Sequence, residues 1–181
     1  MNKSEKTRSK IFNEAKKLFW NYGYSNVSVR QIAKAAKVDV ALISRYYKSK
    51  LGLFEATLSY AFDWSDSIDI NDENIIELFI GFLSESMDIK DQTTVVKMII
   101  MNSSDPNVGD LVKNLTQKKM RNNILKRLKK ITPLQLDLMN AALIGISQTR
   151  KTLKAPSLVA LKKNEYEKVL RYILKGAISY K

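Results

Sequence analysis

The sequence of 181 residues predicts an all-α protein, and three observations favour this class. Apolar residues recur with the 3.6-residue period of amphipathic helices over most of the chain. Only six glycines and three prolines interrupt these patterns. No alternation of apolar and polar residues, the pattern of a half-buried strand, persists beyond a few positions. About nine helices are expected.

The first four predicted helices have clear start and stop signals. The first ends at Gly23, a residue suited to the left-handed conformation that follows a helix. Ser28 and Gln31 have the spacing of a capping box, which starts the second helix. Asp39 is expected to cap the third helix and Ser49 the fourth.

Four later segments predict further helix starts. Capping and acidic residues at 71–73 precede an apolar helical face. Asp105–Pro106 predicts a long basic helix that reaches about Lys130, and Thr132–Pro133 predicts another that reaches about Leu153. Asn164 is expected to cap the last helix.

Basic residues dominate the composition, and their distribution is uneven. The chain has 31 Lys and Arg against 18 Asp and Glu, for a net charge of +13. Residues 1–54 carry +9, residues 55–91 carry −9 and residues 92–181 carry +13. Such an excess favours a polyanionic partner, which can be nucleic acid, an anionic membrane surface or an acidic protein.

Several function classes are excluded by what the sequence lacks. Without Cys or His there are no disulfides, no thiol nucleophile, no Cys/His metal site and no His-based triad. An enzyme would depend on the acidic segment alone, where no carboxylate spacing supports one, so we expect no enzymatic activity, no metal and no cofactor. No apolar stretch is long enough to span a bilayer, and residues 1–17 lack the apolar core of a signal peptide. A cytoplasmic protein without a membrane partner is expected.

Residues 28–47 predict a helix-turn-helix, because two short helices joined by a turn of about three residues follow a longer helix. Ala33 and Ala36 are small enough for the two short helices to approach closely. The second short helix is expected to bury Ile43 and Tyr47, which are four residues apart. In this motif the first helix crosses the DNA backbone and the second enters the major groove.

The residues on the outward faces can then be assigned to two kinds of DNA contact. Arg45 has the geometry for two hydrogen bonds with guanine. The expected base contacts are Val40, Ala41, Ser44 and Arg45, and the expected phosphate contacts are Ser28, Arg30, Tyr46, Lys48 and Lys50. The alternative is a solvated basic face on an ordinary helical hairpin.

The stretch from Thr7 to Phe54 closely resembles the DNA-binding domain of the TetR/AcrR family. The matching motifs are F-x-x-x-G-Y, S-V-R-Q-I-A-x-x-A and L-I-S-R-Y-Y-K-S-K. Beyond it the likeness is mainly one of architecture, although residues 147–174 also resemble the C-terminal helices of AcrR-like members. Three positions depart from the family pattern: Lys37 stands in place of Gly, Leu42 in place of Thr, and Leu51–Gly52 in place of an acidic pair.

The resemblance implies a homodimeric transcriptional repressor that leaves a pseudo-palindromic operator when a small-molecule effector binds. Residues 1–50 would form the helix-turn-helix domain, and residues 51–181 would bind the effector and form the dimer. Arg30 and the outward face from Val40 to Tyr46 would contact the operator. Tyr46 and Lys50 align with family positions that hold phosphates. The alternative is a DNA-binding helical protein regulated by a protein partner, or by no small ligand at all.

Two sets of residues are candidates for these further roles. Effector pockets are largely aromatic and apolar, which favours Tyr60, Trp64, Phe79, Phe82, Met98, Met101 and Met120. For each residue taken singly, an ordinary core position is the stronger interpretation. Small residues four apart permit close helix packing between subunits, which favours Leu134, Leu138, Ala141, Gly145, Val169, Ile173 and Gly176; a packing seam within one subunit is the competing interpretation.

Overall fold

A computed structural model of the chain describes residues 2–62, 69–85 and 95–180, including all side chains except those of residues 82–85. Every regular element within these residues is a helix, so the predicted all-α class is confirmed. The α-helices are α1 (Lys3–Tyr22), α2 (Val29–Ala36), α3 (Ala41–Tyr47), α4 (Lys50–Phe62), α5 (Ile75–Glu85), α6 (Val95–Asn102), α7 (Gly109–Leu115), α8 (Asn122–Arg127), α9 (Pro133–Lys151), α10 (Pro156–Val159) and α11 (Lys163–Ser179). A π-helical segment, Thr116–Arg121, joins α7 to α8.

The helices divide into two compact units. The first unit contains α1–α4 together with α6 and α7, and the second contains α5 and α8–α11. The functional boundary expected at residue 50 stays a prediction.

The core of the first unit forms around α1, which packs against α2, α4 and α6. Its buried face carries Ile11, Ala15 and Phe19, each with no exposed surface. The ring of Phe19 lies 5.4 Å from that of Phe54 and 5.7 Å from that of Tyr24, measured between centroids. Because α1 joins all three neighbouring helices, it is the frame on which the short helices α2 and α3 are placed.

In the second unit α11 packs against both α9 and α5. Leu136 and Met139 of α9 and Leu170 and Leu174 of α11 are almost fully buried. An arginine adds a polar tie, because Nε and Nη2 of Arg171 each donate to the Glu77 carboxylate over 2.7 Å. This pair holds the pKa of the Glu77 carboxyl below its ordinary value.

Most of the predicted caps are confirmed. The Gly23 N–H donates to the Phe19 carbonyl at the end of α1. Capping boxes start α2 at Ser28 and α9 at Thr132, with Gln31 and Gln135 as their third residues. At Ser49 the hydroxyl oxygen accepts the Gly52 N–H over 3.0 Å in the first turn of α4.

The prediction of a long basic helix after Asp105–Pro106 was wrong at both ends of the helix. Regular helix begins only at Gly109, because the Asp105 carboxylate accepts the N–H groups of Ser25 and Asn107 and holds a turn there. The helix stops at Arg127 rather than at Lys130. The Asp72 carboxylate accepts the N–H groups of residues 129 and 130, over 2.9 and 3.0 Å, and fixes non-helical backbone after α8.

The start of the last helix was also misplaced. Its N-cap is Lys162, whose N–H donates to the Glu165 carboxylate over 2.8 Å, whereas Asn164 lies within the first turn. Pro156 begins the short helix α10. In helix α6 the buried residues are Met98 and Asn102.

Candidate nucleic-acid interface

The first short helix, α2, is fixed at its start by the Ser28 side chain. The Ser28 hydroxyl accepts the Gln31 N–H over 3.2 Å and donates to Gln31 Oε1 over 2.9 Å. Val29 is half-buried, while Ile32, Ala33 and Ala36 are buried. Arg30 is exposed on the opposite side. Ser28, which is expected to contact phosphate, is therefore also the N-cap of α2.

The turn between α2 and α3 depends on a left-handed residue. Lys37 has φ 55° and ψ 49°, at the position where the resembling family has glycine. The following N–H, that of Val38, donates to the Ala33 carbonyl over 3.0 Å. Val38 itself is half-buried and packs against the core. The turn keeps the helix-turn-helix geometry although its left-handed residue carries a side chain.

Helix α3 has one buried and one exposed face. Ile43 is 1% exposed and Tyr47 is 8% exposed, as their spacing predicted. The Tyr47 hydroxyl donates to the Arg8 carbonyl over 3.0 Å, which ties the end of α3 to α1. Asp39 was predicted to cap α3, but the N-cap is Val40; Asp39 Oδ1 instead accepts the Ala41 N–H over 2.7 Å in the turn before the helix.

The outward face of α3 carries the side chains expected to contact bases. Val40 is 42% exposed, and Ala41, Ser44 and Arg45 are also exposed. Arg45 forms no ion pair with any described residue. A free guanidinium on a convex helix face is chemically able to donate two parallel hydrogen bonds to one acceptor pair.

Two of the flanking residues already have partners in the protein. The Tyr46 hydroxyl lies 3.1 Å from Ser4 Oγ in a hydrogen bond. The Lys50 ammonium lies 4.0 Å from the centroid of the Tyr24 ring. Partial burial lowers the pKa of Lys50, and the nearby Asp105 carboxylate opposes this shift. Lys48, by contrast, is fully exposed, with φ 66° at the end of α3.

Sequence reasoning missed the polar anchors that hold the loop before α2. Asn102 is fully buried, and its Oδ1 accepts the Tyr24 N–H over 2.7 Å. Its Nδ2 donates to the carbonyls of Met98 and Phe19, over 2.8 and 3.3 Å. The sequence signal that could have revealed this anchor is an asparagine four residues after Met98, on the inward face of an otherwise apolar helix.

The predicted effector residues fall in different parts of the molecule. Met98 lies in the core of the first unit, where Met120 packs against the same cluster. Tyr60 is 52% exposed and Met101 is 39% exposed, both in the first unit. Phe79 is buried in the second unit. Trp64 and the Phe82 side chain lie outside the described residues. The effector site stays a prediction.

The predicted dimer residues all lie on α9 and α11 in the second unit. Leu134 is 53% exposed, and Tyr172, which sequence reasoning did not select, is 82% exposed. A Cβ atom added at Gly145 or Gly176 would meet nothing within 4 Å. Ala141 is exposed, and Leu138, Val169 and Ile173 are half-buried. These apolar and small residues are thus all exposed or half-buried, and their role in a dimer stays a prediction.

Among the described residues, none of the helices has the length and apolar character needed to cross a membrane.

The first unit contains two short helices joined by a tight turn, and the second helix has one buried and one exposed face. These features define a helix-turn-helix module. Residues 11–57 match the family model described as bacterial regulatory proteins, tetR family. A curated relative from Bacillus subtilis (strain 168), "Probable HTH-type transcriptional regulator YttP", is 43% identical over 70 residues, which cover 38% of this chain and 34% of that protein. The matched segment therefore spans about a third of that relative's length.

Two solved structures share the fold over nearly the whole chain. A TetR-family regulator from Streptomyces coelicolor A3 superposes with a TM-score of 0.62 at 17% identity, covering 99% of this chain and 98% of that one. A protein from Rhodococcus sp., described as a TetR-family transcriptional regulator, gives a TM-score of 0.61 at 16% identity and covers 97% and 100%. The chain thus matches the tetR family model over its helix-turn-helix and shares its overall fold with these two solved structures.

Proposed function

We propose that the protein is a sequence-specific, DNA-binding transcriptional repressor that acts in the cytoplasm as a homodimer and is released from its operator by a small molecule. The observation that carries this proposal is the two-faced helix α3, with Ile43 and Tyr47 buried while Ser44 and Arg45 are exposed. The match of residues 11–57 to the tetR family model supports this class of protein, which regulates transcription rather than catalysing a reaction.

In this function α3 lies in the major groove. Arg45 donates to O6 and N7 of a guanine, Ser44 bonds a neighbouring base edge, and Val40 or Ala41 contacts a thymine methyl group. Phosphate contacts fix the register, and their donors are Ser28, Arg30, Tyr46, Lys48 and Lys50. The Ser28 hydroxyl and the Lys50 ammonium exchange their partners in the free protein for phosphate oxygens.

A dimer gives the repressor two recognition helices. Equivalent major-groove sites on one face of B-DNA lie about 34 Å apart, or a multiple of that distance, so a pseudo-palindromic operator mirrors the two-fold symmetry of the protein. The exposed and half-buried residues of α9 and α11 support a four-helix interface, because the small ones among them permit close approach. Leu134 and Ile173 supply part of its apolar surface.

Release requires an effector that binds the free and the DNA-bound conformations with different affinity. The predicted effector residues are aromatic or sulfur-containing, which suits an apolar or aromatic molecule. Met98 and Met120 are the candidates closest to the helix-turn-helix in packing terms, because both belong to the core cluster of the first unit.

The test begins with selection of bound sequences from a random DNA pool by the full chain. We expect enrichment of an inverted repeat, and light scattering should give a particle of twice the chain mass without that DNA and of two chains plus one duplex with it. A pool that shows no enrichment would contradict sequence-specific binding. Compounds that raise the melting temperature are then tested for release of the selected duplex. If none releases it while a bound protein partner does, the alternative of protein-regulated DNA binding replaces the effector model.

A further inference from the structure

A stripe of three lysines runs along the first turns of α1. Lys3, Lys6 and Lys10 are all exposed and follow a three-and-four spacing, which places them on one face of the helix. At 1.5 Å per residue the stripe is about 10 Å long. None of the three forms an ion pair with another described residue.

The stripe is held in a fixed conformation at its start. Asn2 Oδ1 accepts the Glu5 N–H over 2.8 Å, and the Glu5 carboxylate accepts the Asn2 N–H over 2.9 Å. This capping box begins regular helix at Lys3, so the lysines project from a helix rather than from a flexible arm. The one acidic side chain in the first turn is thereby engaged at the helix end.

Two hydrogen bonds place this part of α1 beside the end of α3. Ser4 Oγ bonds the Tyr46 hydroxyl over 3.1 Å, and the Tyr47 hydroxyl donates to the Arg8 carbonyl over 3.0 Å. The Arg8 guanidinium also lies 5.6 Å from the centroid of the Tyr47 ring. Two residues that are four apart on α1 thus meet adjacent residues of α3, so the turns of α1 that carry the lysine stripe lie beside the end of α3.

We propose that the lysine stripe of Lys3, Lys6 and Lys10 binds the phosphates of duplex DNA immediately outside the bases that α3 reads. This inference rests on the proposed function and extends it to a second, sequence-independent contact surface. The stripe adds affinity and lengthens the contacted DNA without adding sequence preference, because phosphates carry no base information. A membrane surface fits the stripe less well, since the apolar residues of α1, among them Ile11 and Ala15, are buried in the core.

The experiment compares the full-length wild-type chain with the triple variant K3Q/K6Q/K10Q. Glutamine keeps the helix propensity of lysine and removes its charge. The matched control is K126Q/K129Q/K130Q, which removes three exposed lysines from the second unit. Affinity is measured against salt concentration on two duplexes that share the selected site, one with ten flanking base pairs on each side and one trimmed to the site.

On the long duplex we expect the stripe variant to lower the slope of log affinity against log salt by about 2 to 3 per subunit, close to 0.9 for each phosphate that the variant no longer neutralises. On the trimmed duplex its slope should match that of the wild type, and the control should change neither slope. An unchanged slope on the long duplex, or the same reduction in the control variant, would overturn the inference. Loss of binding to phosphatidylglycerol vesicles with an unchanged DNA slope would assign the stripe to a membrane instead.

The two proposals fail in different ways. A wild-type chain that enriches no DNA sequence contradicts the proposed function and, with it, the stripe. A wild-type chain that binds its selected site normally, with a salt slope that the stripe variant does not change, contradicts the stripe alone.

Discussion

At the scale of single residues, Lys37 is a side chain in a backbone conformation that favours glycine. Its φ of 55° lies in the left-handed region, which costs a residue with a Cβ atom about 1 kcal/mol. The N–H groups of Lys37 and Val38 complete the end of α2, so the turn is formed despite this cost. The helix-turn-helix therefore retains a local strain at its central turn.

We predict that Lys37→Gly raises the free energy of unfolding by up to about 1 kcal/mol, because glycine relieves this strain. Lys34→Gly is the matched control. It removes an exposed lysine from regular helix three residues earlier and should lower stability by about 1 kcal/mol. Urea unfolding at neutral pH measures both changes. Equal destabilisation by the two variants would show that residue 37 carries no left-handed strain.

Position 52 requires glycine because the backbone of Tyr47 approaches it closely, and not because of its own dihedral angles. A Cβ atom at this position would lie 2.3 Å from the Tyr47 carbonyl oxygen, which is backbone at the end of α3. At this position, where the family that the chain resembles has an acidic residue, the Tyr47 carbonyl leaves no room for a side chain.

Gly52→Ala should destabilise the protein by about 2 kcal/mol or more, since backbone must move to admit the methyl group. Gly81→Ala provides the comparison, because nothing lies within 4 Å of its added Cβ and alanine favours the helix. That variant should gain up to about 1 kcal/mol. Thermal and urea unfolding of both proteins give the result, and a neutral Gly52→Ala would contradict the close approach.

At the scale of elements, the loop after α6 fixes the loop before α2. The Asp105 carboxylate accepts the Ser25 N–H over 3.0 Å, and Asn107 Nδ2 donates to Ser25 Oγ over 3.0 Å. Burial raises the pKa of the Asp105 carboxyl, but hydrogen bonds from Ser25 and the Asn107 N–H outweigh it, so the pKa lies below its ordinary value. The charged form is therefore the one that stabilises the fold.

Because the folded-state pKa of Asp105 is depressed, its contribution is present above the unfolded pKa of about 4 and is lost as the pH falls below it. Asp105→Asn should lower stability by about 1 to 2 kcal/mol at pH 7, and the deficit should shrink towards pH 3. The control is Asp110→Asn, which removes an exposed carboxylate paired with Lys113 and should leave stability nearly unchanged, because solvent screens exposed ion pairs. If Asp105→Asn lowered stability equally at pH 7 and at pH 3, the result would contradict stabilisation by the charged Asp105 carboxylate.

The sequence predicted a helix boundary correctly where the residues that form it are close together in the chain, and incorrectly where they are far apart. The caps at Ser28 and Thr132 use a partner three residues away, so a local pattern was enough to predict both helix starts. The turn at Asp105 and the end of α8 depend on partners that are 80 and 57 residues away, and no local pattern contains them. The π-helical segment 116–121 likewise has no recognised sequence signal.

The same distinction applies to the candidate interface. The buried and exposed faces of α3 follow from helical periodicity, and the structure places Ile43 and Arg45 as that period predicted. The contacts of Lys50 with Tyr24 and of Tyr46 with Ser4 join segments far apart in the chain. Only the fold brings these pairs together, which is why the lysine stripe on α1 was not among the predicted DNA contacts.

At the scale of the whole molecule, the proposed repressor reads DNA with its first unit and forms a dimer through its second. Two copies of α3 on one duplex would multiply the sequence preference that each copy provides. The specific side chains must therefore affect the ratio of specific to non-specific affinity, whereas the phosphate contacts affect both affinities alike. Arg45 is the residue that separates these two effects most clearly.

The most direct test measures dissociation constants on the selected duplex and on a random duplex, at one salt concentration, for the wild type, Arg45→Ala and Arg45→Lys. We predict that Arg45→Ala weakens binding to the selected duplex by about 10- to 100-fold and affects the random duplex far less. Arg45→Lys should lose the same preference while keeping random binding, since lysine retains the charge without the two-pronged donor geometry. Equal losses on both duplexes would contradict base reading by α3.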